Sequence, residues 1–137
     1  MADWNQKIID EFRANGGTVQ TMGFGRSLVL LHHVGARTGA ERVTPLAAVR
    51  PADGEWFLAA SNGGAPTNPA WFHNLVAHPD VSIEDPDEGT VAVRADVLQG
   101  DERDAAWARF EAMSDGFAQY QRGTDRVIPV VRLRRAN

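Results

Sequence analysis

Two turn signals constrain most strongly what this chain can become. Pro51-Ala52-Asp53-Gly54 separates the strand-like runs 43–50 and 55–60, and Asp85-Pro86-Asp87-Glu88-Gly89 separates 81–84 from 91–97. In each, proline and aspartate set the bend and glycine takes the left-handed corner. The second pair of runs alternates apolar and polar residues, as half-buried strands do. Two hairpins commit these four segments to antiparallel pairing. A compact apolar run, Ser27 to His33, is too short for a helix and reads as a buried strand, and Val127 to Leu133 supplies a last one. About six strands, mostly hairpin-linked, predict a mainly β, antiparallel barrel with helical insertions.

The insertions have their own signatures. Trp4, Ile8, Ile9 and Phe12 recur at helical spacing behind Asp3, an N-cap residue, and Asn15-Gly16-Gly17 closes the turn, so a helix is expected over about 3–15. Asn68 followed by Pro69 predicts a cap and first turn for a short helix to Ala77. There Trp71, Leu75 and His78 share a face and Asn74 points elsewhere. Asp101 opens a third helix, with Trp107, Phe110 and Met113 read as one face.

At 137 residues the chain fits one domain, 1–137. It has no cysteine, which excludes disulfides, thiolate nucleophiles and cysteine metal sites. A net charge of −4 argues against nucleic acid as a partner. No apolar run reaches membrane-span length, and residues 1–12 lack a basic lead and apolar core, so no signal peptide is expected. A cytoplasmic protein is the expectation.

Two loops carry candidate chemistry. In Gly35-Ala36-Arg37-Thr38-Gly39-Ala40-Glu41-Arg42, glycines free the backbone to turn N–H groups toward an anion, while Arg37 and Arg42 offer guanidinium forks and Thr38 a hydroxyl. The same loop also reads as a solvated turn with surface arginines. The second, from Ser61 to Pro69, runs into a helix N-terminus, which favours negative charge; its plain reading is a well-capped turn. Adjacent hairpin strands would bring both loops to one rim. His32 and His33 lie in a strand and face opposite sides, and His73 and His78 are five apart, so no metal site is expected. No nucleophile elbow and no dinucleotide fingerprint occurs. Redox chemistry here requires a borrowed cofactor.

The segments Gly35-Ala36-Arg37-Thr38-Gly39, Arg42-Val43-Thr44-Pro45-Leu46, Ala59-Ala60-Ser61-Asn62-Gly63-Gly64-Ala65, Asn68-Pro69-Ala70-Trp71-Phe72-His73-Asn74-Leu75 and Tyr120 to Val130, in this order, resemble the deazaflavin-dependent nitroreductase family. The likeness spans roughly residues 8 to 134. It implies a split β-barrel related to flavin-binding proteins, binding coenzyme F₄₂₀, an 8-hydroxy-5-deazaflavin whose reduced form donates a hydride. It implies quinone, enone or nitro acceptors. By position, Arg37 and Arg42 match residues that hold the cofactor's phosphate and glutamate tail. Thr38 and Gly63 fall within the same matching segments. Pro45, Ala60, Ser61, Asn62, Trp71 and Asn74 match positions lining the deazaflavin and its tail. Tyr120 matches an aromatic over the substrate face and is the candidate acid, with Phe117 beside it.

Four departures follow. Asn62 stands where nitroimidazole-activating members have lysine, and Ala36 where they often have arginine, which removes cations near the anionic tail. Phe117 and Ser114 replace tyrosines, which removes hydroxyls that orient or protonate an acceptor. These changes argue against efficient nitroimidazole activation and leave quinone and enone reduction open. An FMN-dependent split-barrel oxidoreductase is the second choice, and a non-catalytic deazaflavin-binding or storage protein the third. Some relatives sit at the membrane to reach menaquinone. The first helix here lacks the cationic bias that anionic lipid attracts, so peripheral contact at the inner membrane face is not favoured. Split-barrel proteins commonly form homodimers, which this sequence leaves open.

Overall fold

The computed structural model describes residues 2–136. Six strands close into one barrel: β1 (Leu28–Val34), β2 (Glu41–Val49), β3 (Glu55–Ala59), β4 (Asp80–Asp85), β5 (Gly89–Val97) and β6 (Val130–Arg135), in the order β1-β2-β3-β6-β5-β4. Every neighbouring pair is antiparallel. Helices α1 (Ala2–Ala14), α2 (Ala70–Ala77), α3 (Gly100–Met113) and α4 (Asp115–Arg122) lie against it. Closure removes the exposed strand edges an open sheet would leave.

β1 shows why its sequence does not alternate. Val29 and Leu31 point into the barrel with Trp56, Leu58, Ile83 and Leu133, while Leu28 and Leu30 pack outward against Ile8, Ile9 and Phe12 of α1. A strand covered on both faces reads as a continuous apolar run. The turn after α1 touches the β4–β5 hairpin so closely that a Cβ on Gly17 would lie 2.5 Å from Pro86 Cα. Only glycine fits there.

The sequence expectations need correction at five places. α1 begins at Ala2, so Asp3 sits in its first turn rather than at its cap. Pro69, not Asn68, is the cap residue of α2, because Asn68 Oδ1 accepts a hydrogen bond from Arg126 Nη1 at 2.7 Å. Asn74 turns inward and is buried. Met113 leaves the face of Trp107 and Phe110 and is 42% exposed, since each three-residue step falls about 60° short of a full turn. The last strand starts at Val130 rather than Val127, because Arg103 and Gln121 take the carbonyl and N–H of Ile128 that a ladder would use. α4 had no separate expectation. Ser114 is extended and its Oγ accepts from Gly116 N, which ends one helix and caps the next.

Candidate functional site

β1 and β2 stay in register to the pair Val34–Glu41, leaving residues 35–40 as a tight loop over one end of the barrel. Gly39 N–H donates to Gly35 O at 2.9 Å and Gly35 N–H to Ala40 O at 2.9 Å, closing the loop on itself. Thr38 Oγ1 accepts from Ala40 N–H, so this hydroxyl stabilises the turn. α2 leans over the same end. Between them opens a cavity of about 830 Å³, walled by Arg37, Thr38, Arg42, Trp71, His73 and Asn74 with His33 and Thr44 at its floor. Among the described residues no carboxylate lines it.

Its charge is positive and unspent. Among the described residues, Arg37 and Arg42 are exposed and make neither an ion pair nor a hydrogen bond. Most other arginines are engaged: Arg13 meets Glu84, Arg26 meets Asp87 and Arg94 meets Asp80. Two free guanidinium forks on one cavity wall are the chemistry that suits an anion.

A buried polar chain anchors this loop. Asn74 Oδ1 accepts from Ala36 N–H at 2.9 Å, which turns its amide NH2 toward His33 Nδ1, also at 2.9 Å. His33 Nδ1 is therefore the bare, accepting nitrogen. Nε2 carries the proton and donates to Thr44 Oγ1 at 2.9 Å. The ring is 4% exposed. Burial first, then Arg42 and His32, push its pKa down to about 4, so it is neutral at physiological pH. A protonated ring would set an N–H against the Asn74 NH2, and flipping the amide would move the same clash to Ala36. His32 faces outward instead, its Nε2 2.7 Å from Glu84 Oε2.

The structure gathers Arg37, Thr38, Arg42, Trp71 and Asn74 at one cavity and sends the other candidates elsewhere. Trp71 belongs mainly to the barrel core, with one edge toward the cavity. Ala60 is fully buried in that core. Pro45 sits in β2 opposite Leu30, on the strand face of Val43 and Ala47. Ser61, Asn62 and Gly63 lie past the end of β3, where Asn62–Gly64 make a short 3-10 turn. Ser61 is right-handed (φ −72°, ψ −32°) and Asn62 left-handed (φ 49°). That succession turns consecutive N–H groups to one side, the conformation of an anion nest. β1, β2 and β3 alternate in direction, so both loops leave the barrel at the same end, where the first meets α2 and the second runs into its start.

Phe117 and Tyr120 line a second, smaller cavity of about 330 Å³ with Met22, Phe24, Ala47 and Met113. Phe117 stands edge-on to Phe110 (5.1 Å) and to Tyr120 (6.0 Å), which fixes its ring. Tyr120 is 37% exposed, and its hydroxyl makes no hydrogen bond among the described residues. β2 links the two cavities. Arg42 lines the first and Ala47 the second, five positions or about 17 Å apart along the strand. Sequence reasoning missed the chain that runs from Asn74 to His33 and from His33 to Thr44. Only the place of His33 and Thr44 on the inward side of neighbouring strands hints at it.

The sequence matches the profile described as F420H(2)-dependent quinone reductase over residues 4–134. The F420H(2)-dependent quinone reductase Rv1261c of Mycobacterium tuberculosis is 39% identical over 110 residues, covering 78% of this chain and 72% of that protein. The solved F420-H2 dependent reductase FDR-A is 37% identical, with a TM-score of 0.71 over 79% of this chain and 94% of that one. A solved domain-swapped dimer is 34% identical, with a TM-score of 0.73 over 96% of this chain and 98% of that one.

Proposed function

This chain belongs to the F420H(2)-dependent quinone reductase family, and from that premise we propose that it reduces a quinone-like acceptor with electrons from coenzyme F₄₂₀. The observation that carries the reading is the pair of unpartnered arginines, Arg37 and Arg42, on an acid-free cavity of about 830 Å³. Such a cavity suits the anionic part of a cofactor, within the volume range of cofactor pockets. The residues present therefore fit the group.

Arg37 and Arg42 bind the phosphate and carboxylates of the tail, and the loop that carries them is held by Asn74. Ser61, Asn62 and Gly63 offer backbone N–H groups along the same course. Trp71 gives a flat edge. When bound, the reduced deazaflavin supplies two electrons as a hydride. Phe117 and Ala47 give the acceptor an apolar berth, with Ala47 leaving room for a wide ring. Tyr120 donates a proton to the acceptor oxygen as the ring is reduced, and its exposure lets solvent replace that proton. Enones and nitroaromatics present a comparable oxygen and are further acceptors of this site.

One domain carries the reaction. No helix among the described residues is long and apolar enough to cross a membrane; in this reading the protein works in the cytoplasm. The likeness to a domain-swapped dimer supports a homodimer. The test is a fluorescence titration of the purified protein with oxidised coenzyme F₄₂₀, with FMN alongside. Saturable binding of the deazaflavin in preference to FMN is expected. FMN binding with no affinity for the deazaflavin would overturn the assignment.

A further inference from the structure

Arg126 lies between α4 and β6, outside both cavities. Its guanidinium nevertheless spends its donors on one distant segment. Nε donates to Ala65 O at 2.9 Å, Nη2 to Ser61 O at 2.7 Å, and Nη1 to Ala60 O at 3.2 Å and Asn68 Oδ1 at 2.7 Å. All four acceptors fall within residues 60–68, and none is a carboxylate. Among the described residues this cation has no counterion, and partial burial lowers its pKa.

The geometry has a consequence for the backbone. The carbonyls of Ala60 and Ser61 point at the guanidinium, and the peptides they belong to are trans. In a trans peptide the N–H points opposite to the carbonyl. The N–H groups of Ser61 and Asn62 are thereby turned away from Arg126, and neither has a partner among the described residues. The left-handed Asn62 at φ 49° costs strain that something must hold, and the fork holds the carbonyl on either side of Ser61.

The same hub reaches α4. Gln121 Nε2 donates to Arg126 O at 2.7 Å, and Gln121 Oε1 accepts from Ile128 N. A Cβ on Gly64 would stand 3.3 Å from Tyr120 Cα and O, so the loop and the helix bearing Tyr120 touch with no room between them. We propose that Arg126 is a positioning residue that holds the 60–68 loop with the N–H groups of Ser61 and Asn62 facing the anionic cofactor, and that ties this loop to the helix carrying Tyr120. The proposal rests on the F₄₂₀ reading. Four acceptors in a planar fork cannot be served by an ammonium, so charge alone does not replace Arg126.

The experiment titrates wild type, Arg126→Lys and Arg126→Gln with oxidised coenzyme F₄₂₀ by fluorescence, and measures urea unfolding and the KM and kcat for menadione. Both variants are expected to raise the cofactor Kd by about tenfold or more, the scale of losing hydrogen bonds from a charged donor. Lysine is expected to give no rescue. Menadione KM should rise, and kcat at saturating cofactor should fall less than it does in Tyr120→Phe. Wild-type Kd in either folded variant overturns the proposal. If both variants fail to fold, Asn68→Ala removes one acceptor and leaves the cation, and an unchanged Kd there overturns it as well. Failure of the wild type to bind the deazaflavin would strike the F₄₂₀ reading itself, a separate outcome.

Discussion

Replacing His33 with glutamine isolates the buried chain beneath the 35–40 loop. The imidazole has a pKa of about 4 in the folded protein and about 6.5 in an unfolded chain. Between those values the unfolded chain binds the extra proton, so stability rises with pH across the window. The contribution is complete above pH about 6.5 and is lost as pH falls toward 4. A shift of about 2.5 units is worth about 3 kcal/mol, of which about 2–3 kcal/mol falls in the accessible range. Glutamine does not titrate, and its carbonyl still accepts from Asn74. Urea unfolding of both proteins at intervals from pH about 7.5 to about 4 gives the difference directly. Glu11, Glu84 and Glu88, whose carboxyls sit below their ordinary values through hydrogen bonds to Thr21, Arg13 and Arg135, cancel in that difference. The stability advantage of wild type over His33→Gln should shrink by about 2–3 kcal/mol toward the acid end. A difference independent of pH would refute the assignment of His33 as the neutral acceptor.

Three further outcomes are expected. Arg42→Ala should weaken coenzyme F₄₂₀ binding by about 1–3 kcal/mol in a fluorescence titration, with the loss shrinking at high salt; it should also raise the His33 pKa in an NMR titration, since Arg42 is one cause of its depression. Asn74→Leu leaves Ala36 N–H and His33 Nδ1 without partners, and unfolding should be easier by about 1–3 kcal/mol. Tyr120→Phe keeps the edge-on contact with Phe117 and removes the hydroxyl; kcat for menadione should fall by about 10²-fold or more with cofactor affinity unchanged.

The parts of the fold that were legible in the sequence are those set by neighbours in the chain. Pro51 to Gly54 and Asp85 to Gly89 fixed two hairpins because turn conformations depend on the residues in the turn. The buried run of β1 was legible because only strand geometry suits so short an apolar stretch. What stayed hidden was decided across the fold. Asn68 reads as a helix cap, yet its oxygen serves Arg126, 58 residues away. β6 starts late because Arg103 claims Ile128 O from 25 residues upstream. That Arg37 and Arg42 line one cavity was legible because charge and glycine lie side by side in one loop. His33 looked like half of a histidine pair rather than the partner of Asn74, 41 residues on. Its role depends on two strands and a helix meeting at one barrel end, which no local pattern encodes.

The central claim is that this protein passes electrons from a reduced deazaflavin to a quinone. Its most direct test mixes purified protein with reduced coenzyme F₄₂₀ and menadione under anaerobic conditions and follows the return of the oxidised deazaflavin's visible absorbance. Catalysed oxidation matched mole for mole by menadione consumed, and slowed in Tyr120→Phe, is the predicted result. Tight binding of the deazaflavin with no acceptor reduced above the uncatalysed rate would contradict the account and identify a cofactor-binding protein instead.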